Sequence, residues 1–486
     1  MVFIDATVVG VALPVLQRDL HASAAQAQWI IEAYTLALGA LMLLGGAIAD
    51  RAGRKRIFLI GLAIFLAGSV ATGAAPGIEF AILARVVQGI GGMLMAPASL
   101  AIIGGCFEGA ERDKAVGTWS AFTAITTLLS PVLGGALVGL LGWRSVFYIN
   151  IPVGLLTAYA AFVHVPETRD TEAHGRLDIA GSVFGATGLG AIVYVLTALS
   201  GEGARPALLG VLGAAGVLAL TLFLFEERRA ENPIMPLRLF ASRTFSGVNL
   251  LTLMLYGALG ANLYFLPFDL IQVHGYSPAQ SGAALLPFMI CVSVLSRWSA
   301  NILTRVGARA VLTVGTLIVA CGFVLFDLLS RSGSYWTGVF PPILTIGIGM
   351  GLVVAPLTTT VMDSVPVHNV GVASGINNAT ARIGGLLAIA LGGAIMWGAF
   401  NANLDRELQH VHLGPAQSAT LASQRPRLAG GTYRDPVLVR AVHGAYDRAF
   451  DEVALLCAGL AAIAAVTAYT MVGSASRQPV LRSPSH

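Results

Sequence analysis

The sequence predicts an all-α integral membrane protein: about fourteen transmembrane helices, in two pseudo-symmetric six-helix bundles plus a two-helix linker. Three observations carry that reading. Of 486 residues, 56% are hydrophobic and only 11% charged, against roughly a quarter charged in ordinary soluble domains. The apolar residues gather into runs of the length a bilayer-crossing helix needs, about 20 residues. Two stretches of the first half recur in the second at a near-constant offset.

The runs lie near 1–17, 27–49, 57–75, 80–104, 115–141 and 145–165, then 179–199 and 207–225, then 245–273, 279–304, 310–330, 338–363, 371–400 and 451–473. Each must satisfy its backbone internally, which selects helices over a barrel of weakly alternating strands. Membrane helices tolerate the glycines and prolines inside these runs. The first run offers about 24 Å of helix at 1.5 Å per residue, short of a hydrocarbon core of about 30 Å, so either the true start lies upstream, the favoured reading, or the helix needs local thinning of the bilayer.

Lysine and arginine set the orientation. One set of short loops and the tail collect Arg51, Arg54, Lys55, Arg56, Arg112, Lys114, Arg169, Arg176, Arg228, Arg229, Arg238, Arg243, Arg305, Arg309, Arg477 and Arg482, while the opposite set holds Arg18, Arg144, Arg205 and Arg331. The first set is expected to be cytoplasmic. An even number of spans then puts both termini there, in a cell membrane, with the loop 401–450 outside.

The repeat sets ADRAGRKRI (49–57) over LTRVGARAV (303–311), and GGMLMAPASL (91–100) over MGLVVAPLTT (350–359). Gly53 falls on Gly307 and Pro97 on Pro356, offsets of 254 and 259. The expected organisation is therefore an N-terminal six-helix bundle, 1–165, with a first helix that looks truncated. A two-helix linker, 179–225, a C-terminal bundle, 244–473, and a cytoplasmic tail, 474–486, follow. Parallel repeats around a midplane site are an architecture of secondary transporters.

Other classes are disfavoured. A net charge of +4, in short clusters, is not the basic stripe of a nucleic-acid binder, and the hydrophobicity excludes disorder. GIGMG at 347–351 sits mid-helix, and neither lysine, Lys55 nor Lys114, follows a phosphate-loop pattern. No histidine sits mid-span and the four cysteines are scattered. Neither a metal, a cofactor nor an enzymatic activity is expected.

Within the spans, polar residues stand out because each is costly in lipid. Asp5 lies in the first apolar run, where desolvation would let it exchange a proton near neutral pH; the alternative is a solvated acid at a frayed terminus. Arg85, with Gln88 and Gly89 nearby, must pair or face water; it either joins a proton relay or bonds backbone carbonyls to fix packing. Glu32, Asn377, Asn378 and Arg382 could line a central cavity or make interhelical bonds. Asp269 follows the apolar FLPF with no basic partner adjacent. Ser130 and Pro131 with Gly134 and Gly135 make a kink and a small-residue face for close packing. In the 46–55 turn, Asp50 can sit near the N-terminus of the next helix, where the dipole favours an anion.

These motifs resemble those of the major facilitator superfamily, and more narrowly its fourteen-span drug:proton antiporter group. Gly46, Asp50, Arg51, Gly53, Arg54 and Lys55 match the superfamily's signature turn. DATVVGVALP (5–14) is similar to the group's first-helix motif, with Gly10 in place of the usual asparagine. RVVQGIG (85–91) is similar to the fourth-helix motif, and SPVLGG (130–135) to the fifth-helix antiporter motif, with Ser130 where glycine is usual. WRSVFYINIPVG (143–154) and FLPFDLIQVHGYSPAQSGAALLPF (265–288) also fit. In the second copy of the turn Thr304 stands where Asp50 stands in the first.

The resemblance implies a proton relay through Arg85, a gating role for the 46–55 turn, and export rather than uptake through the 130–135 motif. The expected function is a proton-coupled exporter of hydrophobic or cationic small molecules such as drugs or antibiotics. The expected partners are that small molecule, protons and the lipid bilayer, with each chain working as a monomer. The alternative is a proton-coupled uptake symporter of a small metabolite.

Overall fold

A computed structural model describes residues 1–169, 178–201, 205–230, 233–329, 334–366, 369–409 and 411–473. Among them the protein is all-helical, with no strand. The first six helices are α1 (Val2–Asp19), α2 (Ala24–Ala52), α3 (Arg54–Gly73), α4 (Ile78–Cys106), α5 (Gly109–Leu141) and α6 (Ser145–Tyr148, continuing as Asn150–His164). Then come α7 (Ile179–Ala198) and α8 (Pro206–Arg229). The second half has α9 (Arg243–Phe268), α10 (Pro278–Ala284, continuing as Leu286–Val306), α11 (Ala308–Leu329) and α12 (Phe340–Asp363). It closes with α13 (Val370–Leu408), the short α14 (Pro415–Gln424) and α15 (Pro436–Met471).

Among the described residues, twelve of these helices are long and apolar enough to cross a membrane. The expected fourteen would add α1, which carries Asp5, Arg18 and Asp19 within its 18 residues, and α5, Gly109–Leu141. Large apolar side chains face outward, among them Leu140 (83% exposed) and Phe162 (72%). Water would penalise that surface and lipid does not.

Local chemistry starts the helices where the chain turns. Ser23 and Gln26 bond each other's backbone at the head of α2, and Ser277 and Gln280 do so at the head of α10. Gly53 (φ +106°) and Gly307 (φ +83°) make the sharp turns into α3 and α11, in a region that side chains resist.

The second half packs as the first does. α3 and α2 lie on α4, α1 on α5, and α3 on α6; correspondingly α11 and α10 lie on α12, α9 on α13, and α11 on α15. Small residues make the closest crossings in both. A methyl on Gly61 would sit 2.9 Å from the Gly91 carbonyl oxygen, and one on Gly315 would sit 3.1 Å from that of Gly349. Gly315 follows Gly61 by the same 254 residues that separate Gly307 from Gly53.

One segment differs from the sequence reading. The loop expected at 401–450 is largely helix, because α13 runs on to Leu408 and α15 begins at Pro436. Ion pairs Arg425–Asp405 (2.8 Å) and Arg448–Glu407 (2.5 Å) clamp these extensions. The helices at 179–225, expected as an inserted linker, are α7 and α8. Leu189 and Val193 of α7 pack with Leu386 and Ala390 of α13 against Trp29 and Leu36 of α2. The tail expected at 474–486 lies outside the described residues.

Candidate functional site

Asp5 is buried, 2% exposed, on the first turns of α1. α4 brings Arg85 (1% exposed) against it. Arg85 Nη1 donates to Asp5 Oδ2 at 2.6 Å, and Gln88 Nε2 donates to Asp5 Oδ1 at 2.8 Å. Gln88 lies one turn beyond Arg85, so the helical repeat puts both donors on the face that meets α1.

Burying such a pair costs several kcal/mol per ion, repaid only when the remaining donors and acceptors are satisfied. Here they are. Arg85 Nε donates to the Ile30 carbonyl (2.9 Å), Nη1 also donates to Gln88 Oε1 (2.9 Å), and the guanidinium lies 4.1 Å from the Tyr34 ring centroid. Arg85 thus pairs with an acid and also bonds a backbone carbonyl. Asp5 is an enclosed acid, not a solvated one.

The other acids fall elsewhere. Glu32, wholly buried, accepts from Gln28 Nε2 (2.7 Å) and from Thr197 Oγ1 of α7 (2.8 Å). Gln28 Nε2 also reaches the Ile389 carbonyl of α13 at 3.3 Å. Glu32 is therefore an interhelical knot joining α2, α7 and, through Gln28, α13. Thr197 carries no sequence signal, since one threonine among many in an apolar run does not stand out.

Arg382, Asn377 and Asn378 do not act as one group. Asn377 Nδ2 donates to Thr252 Oγ1 (2.8 Å) and Asn249 Oδ1 (3.2 Å) of α9, whereas exposed Asn378 bonds its own helix at Ser374. Arg382 faces α2, its Cβ 3.3 Å from where a methyl on Gly39 would lie. Successive residues on a helix point about 100° apart, which separates the two asparagines.

In the 46–55 turn, Arg54 Nε donates to Asp50 Oδ1 at 2.8 Å. The N-terminus of α3, however, is capped by Glu167. Its carboxylate accepts from the Lys55 and Arg56 amides, each at 3.0 Å, and Lys55 Nζ donates to the Phe162 carbonyl at 2.9 Å. Asp50 lies on the last turn of α2, so it pairs with the arginine side chain and leaves the dipole to Glu167. Gly46 touches Pro97 at ordinary distance; the closest crossing of α2 and α4 is at Gly45, against the Met93 backbone. Arg51 is half-buried at this turn.

Ser130 and Pro131 lie where α5 crosses α10. A methyl on Gly135 would collide with the Pro278 carbonyl, one on Gly282 with the Pro131 carbonyl, and one on Gly134 with Val8 of α1. At the end of the molecule opposite the Asp50 turn, Gln272 Nε2 donates to Gln17 Oε1 (2.9 Å) and Gln17 Nε2 to the Arg427 carbonyl (3.2 Å). That chain of bonds ties α1, the end of α9 and the segment 425–430 together.

Asp269 does have a basic partner. It opens a π-turn, Asp269–Val273, whose wider winding brings His274 Nδ1 to 3.4 Å from Asp269 Oδ2. That hydrogen bond raises the His274 imidazole to about 9, against the opposing effect of burial. Asp447 of α15 lies beside both. The sequence showed no more than a histidine five residues on, off the helical i+4 spacing, and an acid in a distant segment.

Long helices with apolar side chains outward, an enclosed ion pair and two tight glycine turns mark a membrane protein whose second half repeats the packing pattern of its first. The Major Facilitator Superfamily family model matches residues 1–389. The chain belongs to that superfamily, and it is a membrane transporter rather than an enzyme. It is 32% identical to "Multidrug resistance protein Stp" of Mycobacterium tuberculosis (strain ATCC 25618 / H37Rv), over 90% of this chain and 84% of that one. It is 35% identical to "Tetracenomycin C resistance and export protein" of Streptomyces glaucescens, over 82% and 73%. It is 36% identical to "Puromycin resistance protein pur8" of Streptomyces alboniger, over 83% and 81%. In fold it matches an inward-facing, unoccupied bacterial homolog to the human lysosomal transporter Spinster, with TM-score 0.61 over 97% of this chain and 94% of that one, at 18% identity.

Proposed function

We propose that the protein is a proton-coupled antiporter that exports hydrophobic or cationic small molecules, drugs or antibiotics among them, from the cytoplasm. The observation that carries this is the Asp5–Arg85–Gln88 network, an enclosed carboxylate on α1 with both oxygens satisfied by α4. The names of its relatives, which speak of drug resistance and export, support the direction.

In this reading α1–α6 and α9–α13 with α15 are two six-helix bundles, α7 and α8 the inserted pair, and the fourteen helices span a cell membrane with both termini cytoplasmic. The bundles rock around a site between them, each chain acting alone. With Asp5 ionised, its charge is shared with Arg85. A proton arriving from outside neutralises Asp5, breaks the ion pair and leaves Arg85 to Gln88, Ile30 and Tyr34. Cargo and proton must then disfavour each other by about 1–3 kcal/mol for coupling to hold. The Gln17–Gln272–Arg427 chain supports a conformation closed at the outer end.

The test is Asp5→Asn in liposomes carrying an imposed pH gradient, with a fluorescent cationic dye as cargo. Gradient-driven export should vanish while membrane insertion is retained, and the melting temperature should fall because buried Arg85 loses its counter-charge. Undiminished gradient-driven export in that variant would refute the role of Asp5. Accumulation inside inverted vesicles with an acidified lumen separates export from uptake.

A further inference from the structure

Asp269, His274 and Asp447 lie on the second half of the chain, away from the α1–α4 contact that holds Asp5. Their donor atoms all lie within 4.8 Å of one another. Asp269 is 5% exposed, yet its Oδ1 has no hydrogen-bond partner, and neither has Oδ1 of Asp447. A buried carboxylate oxygen without a donor is costly. His274 supplies one positive charge at most, against two carboxylates.

A cavity of about 20 Å³ opens beside them, with Tyr276 and Ser334 also on its wall. That volume admits one ion or one water molecule and no organic cargo. The helix end itself is wound as a π-turn, a form that often marks functional sites.

We propose that Asp269, His274 and Asp447 bind one divalent transition cation of the Zn²⁺, Co²⁺ or Mn²⁺ class. One imidazole with two carboxylates suits these cations better than Ca²⁺ or Mg²⁺, which favour oxygen alone. Ligand bonds of 2.0–2.2 Å place any two ligands on one ion within about 4.4 Å. At tetrahedral angles the ligand atoms lie about 3.3–3.6 Å apart, so side-chain movements of up to about 1.5 Å close the set. Asp269 belongs to the turn ending α9 and Asp447 to α15, so the ion pins these two helices to each other, and it displaces any proton on the imidazole nitrogen it takes.

The experiment uses the full chain in detergent micelles, without a histidine tag, titrated with Co²⁺ and followed by visible d–d absorption. Wild type should develop the band and lose it on adding Zn²⁺, and Zn²⁺ should raise its melting temperature. His274→Ala should weaken Co²⁺ binding at least about tenfold and cancel the thermal shift, and Asp447→Asn should do the same. His412→Ala, an exposed histidine in the 409–435 segment, should bind as wild type does. Should Asp447→Asn fail to fold, His274→Ala decides, because that ring is 26% exposed and its removal opens little core. No band in wild type at millimolar Co²⁺, or a band retained in His274→Ala, overturns the proposal.

Discussion

Arg85 of α4 and Asp5 of α1 meet at 2.6 Å with side chains 1% and 0% exposed, so each is the other's main counter-charge. Removing one partner alone strands a buried charge. Arg85→Leu should therefore lower stability by about 3–5 kcal/mol, seen as a fall in melting temperature. The double variant Asp5→Asn with Arg85→Gln should recover much of that loss while remaining inactive in transport. A double variant no more stable than Arg85→Gln alone would show that the pair is not coupled.

Thr197→Val removes the donor to Glu32 Oε2 without changing side-chain volume appreciably. The unsatisfied carboxylate oxygen should cost about 1–3 kcal/mol, and Thr197→Ser should restore it. Thermal melting of the three proteins side by side checks both. An unshifted Thr197→Val would mean that α7 is held by its apolar contacts alone.

Gly135 is packed against the backbone of α10. Gly135→Val must push α5 off α10, an overpacking cost of about 1–3 kcal/mol. Because α5 and α10 belong to different halves, transport rate should fall more than membrane insertion does. Gly139, which meets nothing within 4 Å, should tolerate the same change. Comparing dye export per inserted molecule in the two variants is the measurement.

Gly53 holds φ +106° with Glu167 immediately over it. Gly53→Ala combines backbone strain of about 1–3 kcal/mol with a clash against the cap of α3. Glu167→Ala keeps the turn but frees the Lys55 and Arg56 amides, at about 0.5–2 kcal/mol. Melting curves should rank wild type above Glu167→Ala, and that variant above Gly53→Ala.

Much of the architecture was open to one-dimensional reading. A membrane helix is dictated by its own stretch of apolar residues and by backbone groups that have only each other to bond, so the long runs could be placed without knowing their neighbours. Gly53 and Gly307, and Pro97 and Pro356, disclosed the repeat for the same reason, since each acts on its own backbone. Asp5, Arg85 and Asp269 drew attention singly because a charge in an apolar run is expensive wherever it points.

Pairing required the folded chain. Nothing along the sequence joins Asp5 to Gln88, Glu32 to Thr197 or Lys55 to Glu167, since those contacts arise where helices cross and their partners lie 83, 165 and 112 residues apart. A single turn of altered winding was enough to move His274 onto Asp269, and the packing of α15 brought Asp447 to both. Hydrophobic burial is non-directional and is legible as pattern; hydrogen bonds and ion pairs depend on angles and tenths of an ångström that only packed helices define.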